Sequence, residues 1–432
     1  MHETWKYNLE LLLLYLLAVM VLLSPYFTPF SNIGPGGILR GDQVLIPFLV
    51  LTIVLFHLDG FVVPNNLIVI AIALLVGLIS LSIFMNWFHY QGSTGIGDLY
   101  DVVIWIMYFC LVAAISGNIS TEQARRTILF IIGLLIGVAG LAILQSVNIG
   151  VATETIAPIY TTRLDTITRS PTATLKNPNS LGKIMLFPFL FSLAQAFRIY
   201  VTESVADNTW NFASWLLLCA LFATVIIASD ARSVLVGLIF ASSVIGAVVV
   251  LEKIGDDLKR HKLVAVTTIS MIVGLYLLIA VFEVGRIASL QNPLQDNSLQ
   301  TRFILWERIL PVILERPLIG YGPSKTAQLA AGVPYVDSGF LSWWYHYGLF
   351  GIIAYILFIC GSIKSGLNTV INRTVFVQYP VFWSAGLATI GWITGSILIW
   401  GFAGVPQDRR VFTLILFILS LIITESINRR SA

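Results

Sequence analysis

Polar and charged residues in this chain gather into short clusters, separated by long, unbroken apolar stretches. The stretches do not alternate with period two, which argues against the strands of a membrane barrel. A bilayer core about 30 Å thick takes roughly 20 apolar residues per helix. About twelve such runs are visible. The first six are Leu9 to Pro25, Val44 to Leu58, Leu67 to Phe88, Leu99 to Ser116, Thr127 to Val147 and Ser180 to Ile199. The other six are Phe212 to Ala228, Ser233 to Leu251, Leu263 to Phe282, Gly339 to Cys360, Pro380 to Trp400 and Val411 to Ile427. The second run is short and the last carries Glu425 near its end, which leaves ten or eleven full spans as an alternative count. The expected fold class is all-α: a polytopic membrane protein of about twelve transmembrane helices, one domain over residues 1–432. The first run lacks a small-residue cleavage site and reads as a retained span.

Composition narrows the class. Of 432 residues, 57% are hydrophobic and 11% charged, against about 25% charged in a soluble globular chain. A soluble enzyme is excluded. A net charge of +3 over this length gives no basic footprint for nucleic acid. Cys110, Cys219 and Cys360 fall in separate apolar runs, where they read as packing residues and not as a disulfide framework.

Lys and Arg in short loops orient the spans. With the amino terminus inside, twelve fall on the inner face and thirteen on the outer. Eight of the outer thirteen lie in two long loops, 148–179 and 283–338, which carry little weight in the rule. Without them the balance is 12 to 5, and both termini are cytoplasmic. The two Arg-rich loops then suggest a surface for an anion at the outer boundary, since Arg suits bidentate phosphate recognition. Ionisable residues are scarce near mid-span. Asp101, Lys183 and the Asp230-Ala231-Arg232 break lie near the boundary, and His346 lies in the outer half of its run. No paired, polar-interrupted spans of the transporter kind are visible.

Three constellations stand out. In the first, Asn177-Pro178-Asn179 precedes an apolar helix, with Lys176 and Lys183 beside it. Asn179 or Ser180 is expected to cap the free amides. The start is either a plain capped terminus or an anion site. In the second, Ser229-Asp230-Ala231-Arg232-Ser233 forms a tight outer turn. Arg232 there is either a local partner of Asp230 or a fixed cation. In the third, Leu299, Phe303, Trp306, Leu310 and Ile313 recur at helical spacing, so Ser298 to Glu315 is expected as an amphipathic helix on the membrane. On a helical wheel Arg302 falls at the edge of the apolar face and Arg308 opposite it. Pro317-Leu-Ile-Gly320-Tyr-Gly322 ends this helix with turn chemistry, and Asp337 precedes a long aromatic run.

Together these pieces resemble the O-antigen polymerase and ligase superfamily of membrane glycosyltransferases. The family pattern has an Asn-Pro-Asn opening a helix (177–179), an Arg-Ser between spans (232–233) and Arg302 with Trp306. Pro317 to Gly322 and Gly348 with Gly351 complete it. Where ligases carry His-Asn, this chain has Asp337-Ser338, which is more typical of polymerases.

The resemblance implies a GT-C-like fold in the cytoplasmic (inner) membrane with a periplasmic active face. It implies transfer of a glycan from an undecaprenyl-pyrophosphate-linked donor to a glycan acceptor, with no cofactor and no metal. Arg232 and Arg302 would hold the pyrophosphate, and Asp337 would act as general base, with His346 behind it. Arg163, Arg169 and Lys176 resemble the basic loop assigned to glycan binding in polymerases. With Asn177, Asn179 and Lys183 they would bind substrate. A Wzz-like chain-length regulator is an implied partner. A polymerase of repeat units is the leading reading. A ligase or oligosaccharyltransferase on the same fold and a transporter of lipid-linked sugars are the alternatives.

Overall fold

The computed structural model describes residues 2–24, 41–88, 96–161, 170–175, 177–202, 208–251, 297–324, 326–334, 338–402 and 408–431, with Leu164, Ile167, Thr168 and Val336. Among the described residues there is no strand. The helices are α1 (His2–Leu23), α2 (Gly41–Phe56), α3 (Leu67–Phe88), α4 (Ile96–Ile115) and α5 (Thr121–Ser146). After a single π-helical stretch, Val151–Ile156, come α6 (Ala157–Tyr160), α7 (Pro178–Thr202), α8 (Thr209–Ala228) and α9 (Arg232–Leu251). The chain continues with α10 (Asn297–Glu315), α11 (Thr326–Ala330), α12 (Gly339–Val370), α13 (Arg373–Gln378), α14 (Pro380–Phe402) and α15 (Arg409–Ser431).

Eleven of the twelve expected runs coincide with helices, and the run from Leu263 to Phe282 lies outside the described residues. Among the described residues α1, α3, α5, α7, α8, α12 and α15 are long and apolar enough to cross a membrane, and α2, α4 and α9 are shorter apolar helices. Exposed Phe48, Leu51, Phe84 and Leu217 lie on the outside of the bundle. Such side chains belong against hydrocarbon.

Among the described residues three helices form the inside of the bundle. α7 is buried from Ser180 to Phe197, α14 from Val381 to Ile393, and α15 from Arg410 to Glu425. Small residues let α14 approach its neighbours. A β-carbon at Gly395 would come within 2.7 Å of the Gly237 carbonyl oxygen on α9. One at Gly386 would strike Thr369 on α12. Cys219 is buried beside the Phe189 carbonyl, as expected for packing, whereas Cys360 lies on an exposed face of α12.

The bundle has two polar ends. We call the end holding the starts of α4, α7, α9, α12 and α15 the upper end. The lower end is tied by Glu10, which is buried and accepts from His57 Nε2 and Gln123 Nε2, each at 2.9 Å. Gln123 also belongs to a capping box with Ser120 at the start of α5. Asn118 fastens the α4–α5 connection to both backbone groups of Val62 at 2.9 Å.

One feature is absent from the sequence reading. α12 is broken at Gly348, where φ is 65° and ψ −165°. The run Tyr345-His-Tyr-Gly-Leu-Phe-Gly351 is mostly apolar and aromatic, and its two glycines are the local signal for a break. The backbone groups released there are taken up by the turn after α10. The Tyr321 and Gly322 amides donate to the Tyr345 and His346 carbonyls, both at 2.8 Å. The Leu349 and Phe350 amides donate to the Pro317 and Leu318 carbonyls at 2.8 and 3.4 Å. A break in a helix at membrane depth is tolerated where neighbouring protein satisfies the backbone.

Candidate functional site

The start of α7 is built as a capped terminus, with the cap at Asn177, two positions earlier than Asn179 and three earlier than Ser180. The Asn177 side-chain oxygen accepts the Ser180 amide at 2.8 Å, and the Ser180 hydroxyl lies 3.0 Å from the same oxygen. Pro178 then fills the first helical position, where a missing N–H costs nothing. Asn179 is exposed. Ser180 also hydrogen-bonds the Asp408 carboxylate at the start of α15. Lys183, one turn further, is buried, and its carbonyl accepts the Trp392 indole N–H at 2.9 Å.

The second constellation packs directly on the first. A β-carbon at Gly182 would lie 2.9 Å from Ser229 Oγ and 3.2 Å from Ala231 Cβ. α8 therefore ends against the first turns of α7. Asp230 takes a left-handed conformation, φ 54°, as the residue after a helix cap often does. Arg232 opens α9, and its side chain lies outside the described residues.

The third constellation forms a small separate core on the first part of α12. Leu305, Ile309 and Ile313 of α10 are buried against Tyr321, Val333, Val336 and Tyr345. Of the apolar positions named from the sequence, Ile313 turns inward. Phe303 and Leu310 are exposed and Trp306 is half-buried. The helix has a protein partner that the wheel could not include, and its inward strip is turned toward that partner. Arg302 is half-buried and Arg308 exposed, as their places on the wheel imply. Glu315 is exposed and accepts the Tyr321 hydroxyl at 2.6 Å. Tyr321 stacks on Tyr345 at 5.1 Å, with the Arg316 guanidinium carbon 4.3 Å from the Tyr321 ring centroid. Burial, with the Glu315 hydrogen bond, pushes the Tyr321 phenol above its ordinary range.

His346 sits at the break in α12. Its Nδ1 is 2.6 Å from the Gly322 carbonyl oxygen. A carbonyl only accepts, so Nδ1 carries the proton and the neutral ring has its basic lone pair on Nε2. The opposite side of α12 joins the bundle through Trp343 and Tyr347, both edge-on to Trp105 of α4. Trp105 in turn meets Phe412 of α15.

Residues 408–412 thus connect everything at the upper end. Asp408 reaches Ser180, Arg409 pairs with Asp101 and lies over the Tyr100 ring, and Phe412 reaches Trp105. The Arg410 side chain is buried and donates to the carbonyls of Thr174, at 2.7 Å, and Ser24. The Thr174 hydroxyl and the Tyr160 hydroxyl donate to the Leu22 and Leu23 carbonyls at 2.6 and 2.8 Å. Buried Gln145 accepts the Ala173 amide at 2.8 Å. By sequence Arg409 and Arg410 are outer boundary charges, and the pattern names no contact for Asp408 or Gln145. The available signal was an Asp-Arg-Arg triplet directly before an apolar run.

Arg163, Arg169, Lys176 and Asp337 lie outside the described residues. Ser338 caps α12, accepting the Leu341 amide at 3.4 Å. Among the described residues no group of three His, Cys, Asp or Glu side chains converges as a metal site would require.

The fold and this end of the bundle define an all-helical, multi-pass membrane protein with a polar, cation-bearing cap at one end. Residues 217–356 match the family model for O-antigen ligase, and this supports membership of the O-antigen polymerase/ligase superfamily. The matched stretch runs from α8 into α12 and contains Arg232, Arg302, Asp337 and His346. A comparison with curated proteins gave no match.

Proposed function

We propose that the protein is a membrane glycosyltransferase that polymerises lipid-pyrophosphate-linked glycan repeat units at the outer face of the cytoplasmic membrane. The observation that carries this reading is the unit formed by α10, the 317–322 turn and the broken start of α12. It bears Arg302 and His346, falls within the matched family region, and stands at the end of the bundle where α7, the 229–231 turn and α15 meet. The Asp337-Ser338 pair favours a polymerase over a ligase.

In the reaction, the acceptor hydroxyl oxygen bonds to the anomeric carbon of the donor glycan. The bond from that carbon to the pyrophosphate oxygen breaks, and its electron pair leaves with the lipid pyrophosphate. The hydroxyl proton passes to Asp337 as general base, or to His346, whose Nε2 has the lone pair for it. Arg232 and Arg302 stabilise the charge that develops on the leaving pyrophosphate. Arg163, Arg169, Lys176, Asn177, Asn179 and Lys183 contribute to substrate binding. The twelve-span count, cytoplasmic termini, GT-C-like architecture and a Wzz-like partner belong to the same proposal.

The test is deletion of the gene in its native host, complemented with wild type, Arg302→Ala and Asp337→Asn, with analysis of surface glycans and lipid-linked intermediates. Single-repeat species should accumulate in the deletion, and neither variant should restore long chains. Long chains still made but stranded on the carrier lipid would identify a ligase. Unchanged glycans would remove the protein from this pathway.

A further inference from the structure

A cavity of about 600 Å³ opens at the lower end, between the 62–67 segment, α12 near Lys364 and the end of α15. It lies at the end of the bundle opposite Arg302 and His346. Among the described residues its lining holds one full charge, Lys364, together with the side chains of Asn65, Asn66 and Asn368, and no carboxylate. The α15 carboxylate in this region, Glu425, is buried and ion-paired with Arg429. Asn66 is held in place, accepting the Ile68 amide at 2.9 Å and donating to Ser365 at 3.3 Å.

A cation and amide groups without an acid suit an anion with several acceptor oxygens. The rest of the wall is apolar. Val62, Val63 and Ile70 are 45%, 54% and 46% exposed, so the cavity opens beside side chains that belong against hydrocarbon. A free anion has no use for such a wall, whereas an amphiphile does. Among the described residues the lining has no aromatic ring on which a sugar face could stack. Basic pockets between membrane helices hold lipid headgroups by this combination.

We infer that this cavity is a binding site for a phosphate-headed anionic membrane lipid, held by Lys364 with the neighbouring asparagines. It lies in the leaflet opposite the candidate active site. The inference does not depend on the reaction proposed above.

The test is native mass spectrometry of the full-length protein, purified in a neutral detergent and titrated with phosphatidylglycerol. Phosphatidylcholine and inorganic phosphate serve as comparators. One phosphatidylglycerol per chain should be retained in preference to phosphatidylcholine. Lys364→Gln should weaken retention about fivefold, the worth of one lysine beside an anionic surface. Arg373→Gln, at an exposed cation on the same end outside the lining, should leave retention unchanged. Equal weakening by both variants would reduce the effect to a general charge belt and overturn the site. Equal retention of phosphatidylcholine, or displacement of the lipid by inorganic phosphate at matched concentration, would also overturn it.

Discussion

His346 and Gly322 are joined twice. The imidazole Nδ1–H donates to the Gly322 carbonyl at 2.6 Å, and the Gly322 amide donates to the His346 carbonyl at 2.8 Å. One bond orients the ring and the other fixes the main chain that carries it. A side chain so held is suited either to chemistry or to holding the turn, and the two roles separate by substitution.

His346→Asn keeps an N–H donor near the Nδ1 position and removes the basic nitrogen. If His346 takes the proton, polymer formation should fall about a hundredfold, as loss of a general base does, with the melting temperature little changed. Activity near the wild-type level, with an unaltered pH profile, would leave His346 as a positioning residue only.

The break in α12 depends on glycine. A β-carbon at Gly348 would lie 2.1 Å from the Leu318 carbonyl oxygen, in a left-handed conformation. Gly348→Ala should therefore destabilise the protein by about 2–5 kcal/mol, combining left-handed strain with overpacking. Thermal unfolding in detergent would check this. A wild-type melting temperature would mean that the break is not maintained.

Arg302 and Arg308 share α10, but one is half-buried and the other exposed. Arg302→Lys should fail to restore long glycans, because an ammonium does not reproduce the guanidinium fork. Arg308→Ala should complement fully. Equal loss from both substitutions would point to a general charge requirement of the loop.

At the lower end, Glu10→Ala removes the partner of His57 and one of two acceptors of the buried Gln123 amide, which keeps the Tyr7 carbonyl at 3.0 Å. An unsatisfied buried N–H costs about 1–3 kcal/mol, so the melting temperature should drop while the glycan phenotype is kept. Loss of glycan at unchanged stability would tie this end to the reaction.

Tyr321 has its pKa raised in the folded state. Its contribution is therefore full below the unfolded value of about 10 and fades as pH rises through the folded value. In a tyrosinate absorbance titration, Tyr321→Phe should remove one phenol from the late-titrating group. No difference between the two proteins would place Tyr321 outside that group.

Much of the helical framework is legible in the sequence because continuous apolar runs have one stable form in hydrocarbon. Asn177-Pro178 announces the start of α7 for the same local reason, although the cap falls on Asn177. The inward strip of α10 is legible only at Ile313 because its partners, Tyr321 to Tyr345, are chosen by tertiary contact. The break at Gly348 was missed because the groups that satisfy it lie more than twenty residues earlier, in 317–322. Asp408 to Arg410 look like ordinary boundary charges until Ser180, Asp101 and Thr174 come beside them.

The four backbone bonds across the α12 break also bear on assembly. Synthesis delivers Pro317 to Gly322 before it delivers Tyr345 to Phe350. The turn thus emerges with two amides and two carbonyls that have no destination, and α12 enters with a gap in its own ladder. Neither segment is complete until the other has arrived. The cap and the helix are therefore expected to form in one late step, and a chain cut after Ser338 should leave the turn without its partner.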